Sequence, residues 1–346
     1  IGSGIAGLSF ALKVADKGSV CIISKTDLEE TNTRYAQGGI AAVTYSPDTL
    51  EKHISDTINA GGGLCDETIV KMVVKEGPDQ IKELINWGSI FDKKDNGQFD
   101  LNREGGHSEE RVLHHKDNTG FEIQRALTKR VLAHPRITAL DKYFAVDLIT
   151  QHHKGLTVKR NNGIIECYGA YALNLHNNEI DTILAKNTFI ASGGAGNIYQ
   201  TTTNPIIATG DGIAMAYRAK AIIENMEFVQ FHPTSLFNSG ERPSFLITEA
   251  LRGFGAILKT NRGEEIMYKY DKRGSLAPRY IVARAIDHER KALGSDFVYL
   301  DATHLDSEEL KNHFPNIHSK CEELGIDIGK DMIPVVTAAH YFCGGI

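Results

Sequence analysis

Hydrophobic and polar positions change period along this chain, and the changes mark its elements. Leu8 to Val14 is an apolar stretch of helical character, and Ser19-Val20-Cys21-Ile22-Ile23 reads as a strand. Pro47 to Ala60 and Asp66 to Trp87 carry helical periodicity, the latter with Ile69, Met72, Val73, Leu84 and Ile85 on recurring faces. Phe91 to Glu110 is a loop rich in charge, Asn and Gly. Gly120 to Leu132 is helical, with Pro135 just beyond its end. From Ala139 to Ile190 the period falls to two. Ala145 to Ile149 is one strand, Cys167 to Leu175 pairs across Asn177-Asn178 with Asp181 to Leu184 as a hairpin or meander, and Lys186 to Ala191 is the next strand. A helix over Gly212 to Ala221 follows. From about Glu224 the segments become shorter and more irregular, then helices are expected over Pro278–Leu293 and Ser307–Leu324.

Helix then strand at residues 1–25 is the front of a doubly wound α/β sheet whose opening strand should precede Ile1. The texture change near Glu224 places a second domain there. Two glycine-rich segments sit in this frame. Ile1-Gly2-Ser3-Gly4-Ile5-Ala6-Gly7 is a G-x-G-x-x-G run opening a helix: Gly2 permits a tight turn, Gly4 a close backbone approach to a pyrophosphate, and Gly7 close packing of helix on strand. Free N–H groups at a positive helix end would hold the phosphate. On its own such a run is also found as a plain glycine-rich turn. Its companion, Phe189-Ile190-Ala191-Ser192-Gly193-Gly194-Ala195-Gly196, strengthens the dinucleotide reading.

Bulk composition removes several classes. The chain has 346 residues and a formal charge of −6, with no Lys/Arg block, so nothing marks a nucleic-acid binder. No apolar stretch approaches the roughly 18–20 residues of a membrane span, so the chain reads as soluble. Five widely spaced cysteines without C-x-x-C suit structural thiols in a reducing compartment. The pairs His114-His115 and His152-His153 are poor metal sites, because neighbouring side chains on a strand or in a loop diverge. No metal is expected. A nicotinamide enzyme would place an acid after the second strand to hold a ribose, but here the strand ends Ser24-Lys25, which leaves a flavin dinucleotide. Asp211, between Gly210 and Gly212 at a helix start, is either a helix N-cap or a partner for a ribityl hydroxyl, and periodicity does not choose.

Seven segments occur in the order of one family: Y-A-Q-G-G-I-A-A at 35–42, R-E-G-G-H-S at 103–108, G-D-G-I-A-M-A at 210–216, Q-F-H-P-T at 230–234, T-E-A-L-R-G at 248–253, A-P-R-Y-I-V-A-R-A-I-D-H-E at 277–289 and A-A-H-Y-F-C-G-G at 338–345. With them the chain resembles the L-aspartate oxidases, within the fumarate reductase/succinate dehydrogenase flavoproteins. The resemblance implies an FAD-binding (Rossmann-like) domain over 1–222, a small inserted α+β capping domain over 223–335, and at 336–346 the start of the return to the first domain. It also implies a substrate site between domains. FAD would be held by Gly2, Ser3, Gly4, Gly7, Lys25, Asn32, Thr33, Ala36, Gln37, Gly38, Gly39, Val146, Gly194 and Asp211. Asn32 stands where the succinate dehydrogenases carry a flavin-linked His, which implies non-covalent binding.

The resemblance assigns the substrate residues too. Glu104 would meet the ammonium of L-aspartate, a charge that would cost several kcal/mol to bury beside flavin without a counter-charge. His232 and Thr248 would hold one carboxylate and His340 the other, although a His before Pro is in most sequences a loop residue. Glu249 and Arg252, three apart, share a helix face. With Arg279 they resemble the proton relay of these flavoproteins; the plainer reading is a surface ion pair worth about 0–1 kcal/mol. The implied reaction passes a hydride from Cα to flavin and a Cβ proton to Arg279, giving iminoaspartate. Oxygen or fumarate would be the acceptor, and quinolinate synthase would receive the imine in cytoplasmic NAD biosynthesis.

Two departures bear on this. Arg252-Gly253-Phe254-Gly255 replaces the family's R-G-E-G, and the chain stops at Ile346, before the G-E motif, the Arg that grips the second substrate carboxylate and the helical domain with which the family continues. Two other readings therefore stand beside the first: a soluble fumarate reductase or succinate dehydrogenase flavoprotein, and a flavin-binding fragment without catalysis.

Overall fold

The computed structural model describes residues 1–159 and 164–346. In chain order its main elements are α1 (Ile5–Val14), β1 (Val20–Ile23), β2 (Ile40–Ala41), α2 (Leu50–Ala60), α3 (Glu67–Asn86), β3 (Leu101–Asn102), β4 (Val112–Leu113), α4 (Thr119–Leu132), β5 (Ile137–Leu140), β6 (Tyr143–Thr150), β7 (Cys167–Asn174), β8 (Glu179–Leu184) and α5 (Asp211–Arg218). There follow β9 (Val229–Leu236), α6 (Glu249–Gly253), β10 (Ile257–Lys259), α7 (Arg279–Leu293), β11 (Val298–Asp301), α8 (Ser307–His313), α9 (Pro315–Glu323) and β12 (Ile333–Phe342). Two compact units result. The first joins Ile1–Tyr35, Ile123–Gln230 and Ala339–Ile346; the second joins Ala36–Glu122 and Phe231–Ala338.

In the first unit β1 pairs in parallel with β5. On the other side of β1 the chain's first residues run alongside, with Gly2 N donating to Ile23 O at 2.9 Å and Ala191 N to Ile1 O at 2.8 Å. The stretch 186–191 thus exchanges bonds with Ile1 but bends at Lys186-Asn187 and forms no strand, contrary to the periodicity. The hairpin reading holds: β7 turns back into β8, with Asn178 at φ 61°, and β6 completes an antiparallel three-stranded sheet. A core of Ile23, Ala145, Leu148, Ala170, Ala172 and Met215 closes α5 onto these sheets.

The second unit is built on a four-stranded sheet in the order β10-β11-β12-β9. Its core includes Leu251, Leu258, Ile286, Leu300, Ile317 and the buried thiol of Cys321. The helix expected over 307–324 is broken into α8 and α9. Pro315 follows Phe314, and a residue before proline is driven out of the α region; Phe314 sits at φ −127°, ψ 56°. The strand β9 runs straight through His232-Pro233, so that histidine is not a loop residue.

The units are drawn differently from the expected 1–222 and 223–335. Residues 36–122 belong with 231–338 because bonds tie them there: Asn316 donates its backbone N–H (3.1 Å) and Nδ2 (2.5 Å) to the Asp117 carboxylate, and Gly105 N donates to Glu249 Oε1 at 3.3 Å. Among the described residues no helix is long and apolar enough to cross a membrane, and no His/Cys/Asp/Glu group could hold a metal ion.

Candidate functional site

In the first unit the glycine motif works by what it leaves out. Gly2 has φ 110°, and a Cβ there would strike the Ala191 carbonyl; a Cβ on Gly7 would strike the Gly2 carbonyl. Side chains at either position would push apart the turn, α1 and the segment before Gly193. Gly4 is the N-cap of α1, and Thr33 Oγ1 accepts the Ile5 N–H at 3.0 Å, so Thr33 shapes the helix start. Ser3 Oγ bonds Ser24 Oγ at 3.1 Å.

A cavity opens beside this turn, lined among others by Gly2, Ser3, Lys25, Asn32, Gly193 and Asp211. Lys25 Nζ pairs with the Asp211 carboxylate and donates to Thr209 Oγ1 at 2.7 Å. Asp211 is the first residue of α5, and Gly210 before it adopts φ 78°, a left-handed turn that suits glycine. The N-cap reading of Asp211 is therefore set aside: Gly210 holds that position. Gly194 packs under the ring of Phe342. Val146 lies on β6, where its carbonyl accepts from Arg218 Nη2 at 2.6 Å.

The residues present suit a dinucleotide. Asn32 Oδ1, in the cavity wall, is buried with no hydrogen-bond partner among the described residues, and a buried amide oxygen of this kind calls for a ligand donor. The left-handed Gly2 and Gly193 bare their backbone toward the same cavity. One residue that the sequence did not flag organises this wall. The fully buried Gln124 accepts from Thr31 Oγ1 at 2.9 Å and donates from Nε2 to Ser3 O at 3.0 Å and Leu28 O at 3.2 Å. A polar residue in the Gly120–Leu132 helix pattern was the available signal.

His340 also belongs to the first unit. Its Nδ1 meets Thr203 Oγ1 at 2.6 Å, and its carbonyl accepts from Asn204 Nδ2 at 2.8 Å.

The second unit holds the remaining predicted residues. The Gln37-Gly38-Gly39 turn is pinned from both sides: Ala36 O accepts from Gly120 N at 2.8 Å, Gln37 O from Thr119 Oγ1 at 3.3 Å, and Gly39, at φ 144°, lies against the Leu113 carbonyl. Gln37 Oε1 is a second buried amide oxygen without a partner among the described residues. Gly38 faces Glu104 so closely that a Cβ would stand 2.7 Å from Glu104 Oε1.

From Glu104 the charges run in a chain. Arg279, at the start of α7, donates Nη2 to Glu104 Oε2 at 3.3 Å and Nε to Glu249 Oε2 at 2.5 Å. Glu249 Oε1 lies 3.6 Å from Arg252 Nη2, one helical turn along α6. Arg252 Nη1 donates to Ser275 O at 2.6 Å. The Arg252 side chain is wholly buried and that of Glu249 is 6% exposed, which removes the surface-pair reading.

Their environments push these groups apart. Burial lifts the Glu104 carboxyl above the ordinary carboxylate value, against the pull of Arg279. Burial would lift Glu249 as well, but the charges of Arg252 and Arg279 outweigh it and hold that carboxyl low. Burial lowers the Arg252 guanidinium, whereas Glu249 and Glu104 overcome burial at Arg279 and bind its proton more tightly.

His232 and Thr248 share this unit but are held locally. His232, buried in β9, meets the Thr234 backbone through Nδ1, and Thr248 caps α6 by accepting the Ala250 N–H at 3.4 Å. Phe254, the departure from the family pattern, packs against Phe314 and His313 and leaves the charge chain without a further acid at that position.

The family described as FAD binding domain matches residues 1–346. L-aspartate oxidase 2-a, chloroplastic, of Nicotiana tabacum is 50% identical over 100% of this chain and 54% of its own length. L-aspartate oxidase of Pseudomonas aeruginosa is 48% identical over 100% of this chain and 64% of its own. A solved structure of a mutated E. coli quinol fumarate reductase FrdA superposes with a TM-score of 0.90 at 32% identity, covering 100% of this chain and 60% of that one. The chain thus spans between about half and two thirds of the length of the relatives it matches.

Proposed function

Because the chain belongs to the FAD binding domain family, with FAD as its cofactor, we propose for it the oxidation of L-aspartate to iminoaspartate. One observation carries the reading: Glu104, a carboxylate lifted by burial, stands against Gly38 of the flavin motif and is tied to Arg279. A desolvated carboxylate gains most from a substrate cation, and the ammonium of an amino acid is such a cation.

In the first unit the turn Gly2–Gly7, Lys25, Asn32 and Asp211 would hold FAD. Asn32 has no imidazole to form a covalent link, so the cofactor is bound non-covalently. When bound, FAD supplies two-electron oxidation, taking a hydride from the substrate Cα. The protein's residues do the rest. Glu104 orients the ammonium, and His232 and Thr248 of the same unit take one carboxylate. Arg279 faces the Cβ proton.

The tightly held proton on Arg279 sets a condition on its role as base. It must first pass a proton to Glu249 Oε2, which passes it on to Arg252 once that guanidinium, the more readily deprotonated of the two, has lost its own proton to solvent. Loss of the Cα hydride and the Cβ proton gives the enamine tautomer of iminoaspartate. Electrons then leave to oxygen or fumarate. The reading extends to the opening step of NAD biosynthesis from aspartate, in the cytoplasm, with quinolinate synthase taking the imine.

The test is anaerobic mixing of the FAD-loaded complete polypeptide with L-aspartate or with succinate, following the visible flavin band. Bleaching by aspartate and not by succinate is expected. Bleaching by succinate alone would transfer the protein to the dicarboxylate flavoproteins, and bleaching by neither would leave a flavin binder without this activity.

A further inference from the structure

The loop carrying Glu104 is fastened at two points, and the second lies outside every role assigned above. Within the loop, His107 N donates to Glu104 O at 3.1 Å, closing a turn in which Gly106 takes φ 91°. On the near side of that turn Gly105 N is held by Glu249. On the far side Ser108 donates both its backbone N–H (2.7 Å) and its Oγ (2.8 Å) to Asp56 Oδ2 on α2. Behind Ser108 stands Arg111, whose side chain is wholly buried. Its Nε and Nη2 form a fork on Asp48, both at 2.8 Å, while Nη1 reaches Asp56 Oδ2 at 2.6 Å and Nη2 reaches Ser108 Oγ at 3.3 Å. Lys52, also on α2, adds a bond to Glu109 at 2.6 Å.

A guanidinium with two carboxylates is a rigid planar brace, and breaking it would strand buried charge. Arg111 also fixes the strand side: its N–H bonds Asn102 O at 3.2 Å and its carbonyl accepts Ala42 N at 2.9 Å. The brace therefore joins α2, β4 and the Glu104 turn into one piece. Asp56 shows the strength of the joint. Burial acts to raise its carboxyl, yet the Ser108 and Arg111 bonds carry it below the ordinary value.

We propose that Ser108, Asp56 and Arg111 are positioning residues that set Glu104 for the substrate ammonium, and so set the preference for an amino acid over a dicarboxylate of the same length. The inference rests on the aspartate reading of Glu104. Removing the Ser108 hydroxyl or the Asp56 charge lets the turn drift, and the contact that weakens is the one to the ammonium. The carboxylate contacts come from other elements and stay.

The experiment compares the KM for L-aspartate with the inhibition constant of succinate, which has no ammonium, in the FAD-loaded complete polypeptide. Ser108→Ala and Asp56→Asn should raise the aspartate KM roughly tenfold and leave succinate binding within about twofold, and Ser108→Thr, which keeps the hydroxyl, should restore the aspartate KM. Equal changes in both constants, or none in either, would overturn the inference. Glu104→Gln serves as the reference. If it leaves the aspartate KM untouched, the aspartate reading of Glu104 falls and the inference with it. If it raises that KM while the Ser108 and Asp56 variants do not, the brace alone is refuted.

Discussion

The cofactor cradle of the first unit and the charge chain of the second are built by opposite means. In the cradle the shaping contacts are backbone against backbone: Gly2 on Ala191 and Gly7 on Gly2, with one long side chain, Gln124, stitching the loops behind. In the charge chain the side chains of Glu104, Arg279, Glu249 and Arg252 hold one another, and the backbone adds Gly105 N on Glu249 and Ser275 O on Arg252. The cradle therefore fails when an atom is added, and the chain fails when a charge is removed. Damage of the first kind should show in cofactor retention, and of the second in folding.

The largest effect is expected from Glu249→Ala, which leaves Arg252 buried without its counter-charge and should cost about 3–5 kcal/mol. Urea unfolding would show it as a lower midpoint at unchanged slope; an unchanged midpoint would mean that the buried charges do not depend on one another. Next comes Gly2→Ala. Strain at φ 110° and the collision with Ala191 O should take roughly 1–3 kcal/mol from cofactor binding, about fivefold to 150-fold in affinity, read as flavin lost on desalting. If the alanine variant keeps its flavin, the backbone account of the cradle is broken.

A pH series sharpens the contrast within the charge chain. Glu104 titrates above the ordinary carboxylate value, so on acidification its charge should be lost first and the aspartate KM should rise while the fold holds. Glu249 has a depressed value. Its contribution to stability is present above the ordinary carboxylate pKa and is lost as the pH falls through the depressed one. Binding should therefore fail at a higher pH than folding. Coincident losses, measured by steady-state kinetics and by circular dichroism, would contradict the separation. The smallest effect belongs to neither region. Asp66 caps α3 by accepting the Thr68 and Ile69 N–H groups, and Asp66→Ala should lower stability by about 1 kcal/mol without changing flavin content or KM.

The same contrast decided what could be read from the sequence. The cradle is local. Gly2, Gly4 and Gly7 fall within one turn and its helix, and their spacing states their purpose before any fold is known. The hairpin of β7 and β8 was legible for the same reason, from alternation on both sides of Asn177-Asn178. The charge chain draws on a loop, α6 and α7, whose residues are separated by more than a hundred positions at the widest, so only the resemblance to a family could assemble it. Where reading failed, tertiary context had the last word. Pro315 broke a periodic helix at Phe314, the short strands β2, β3 and β4 were too brief to show alternation, and Arg111 stood beside a quoted motif without any local mark of its burial.

One buried atom offers an independent view of the second unit. The thiol of Cys321 lies in that unit's apolar core, and burial pushes its pKa up to about 12. At neutral pH the thiolate that an alkylating reagent needs is therefore scarce. Cys21 and Cys343 are exposed and Cys65 and Cys167 half-buried, so a first pulse of reagent would cap these before Cys321. After that first pulse, any further label at Cys321 marks an opening of the core around it. The protein thus carries its own clock for how often that core breathes, readable by mass spectrometry of a single peptide.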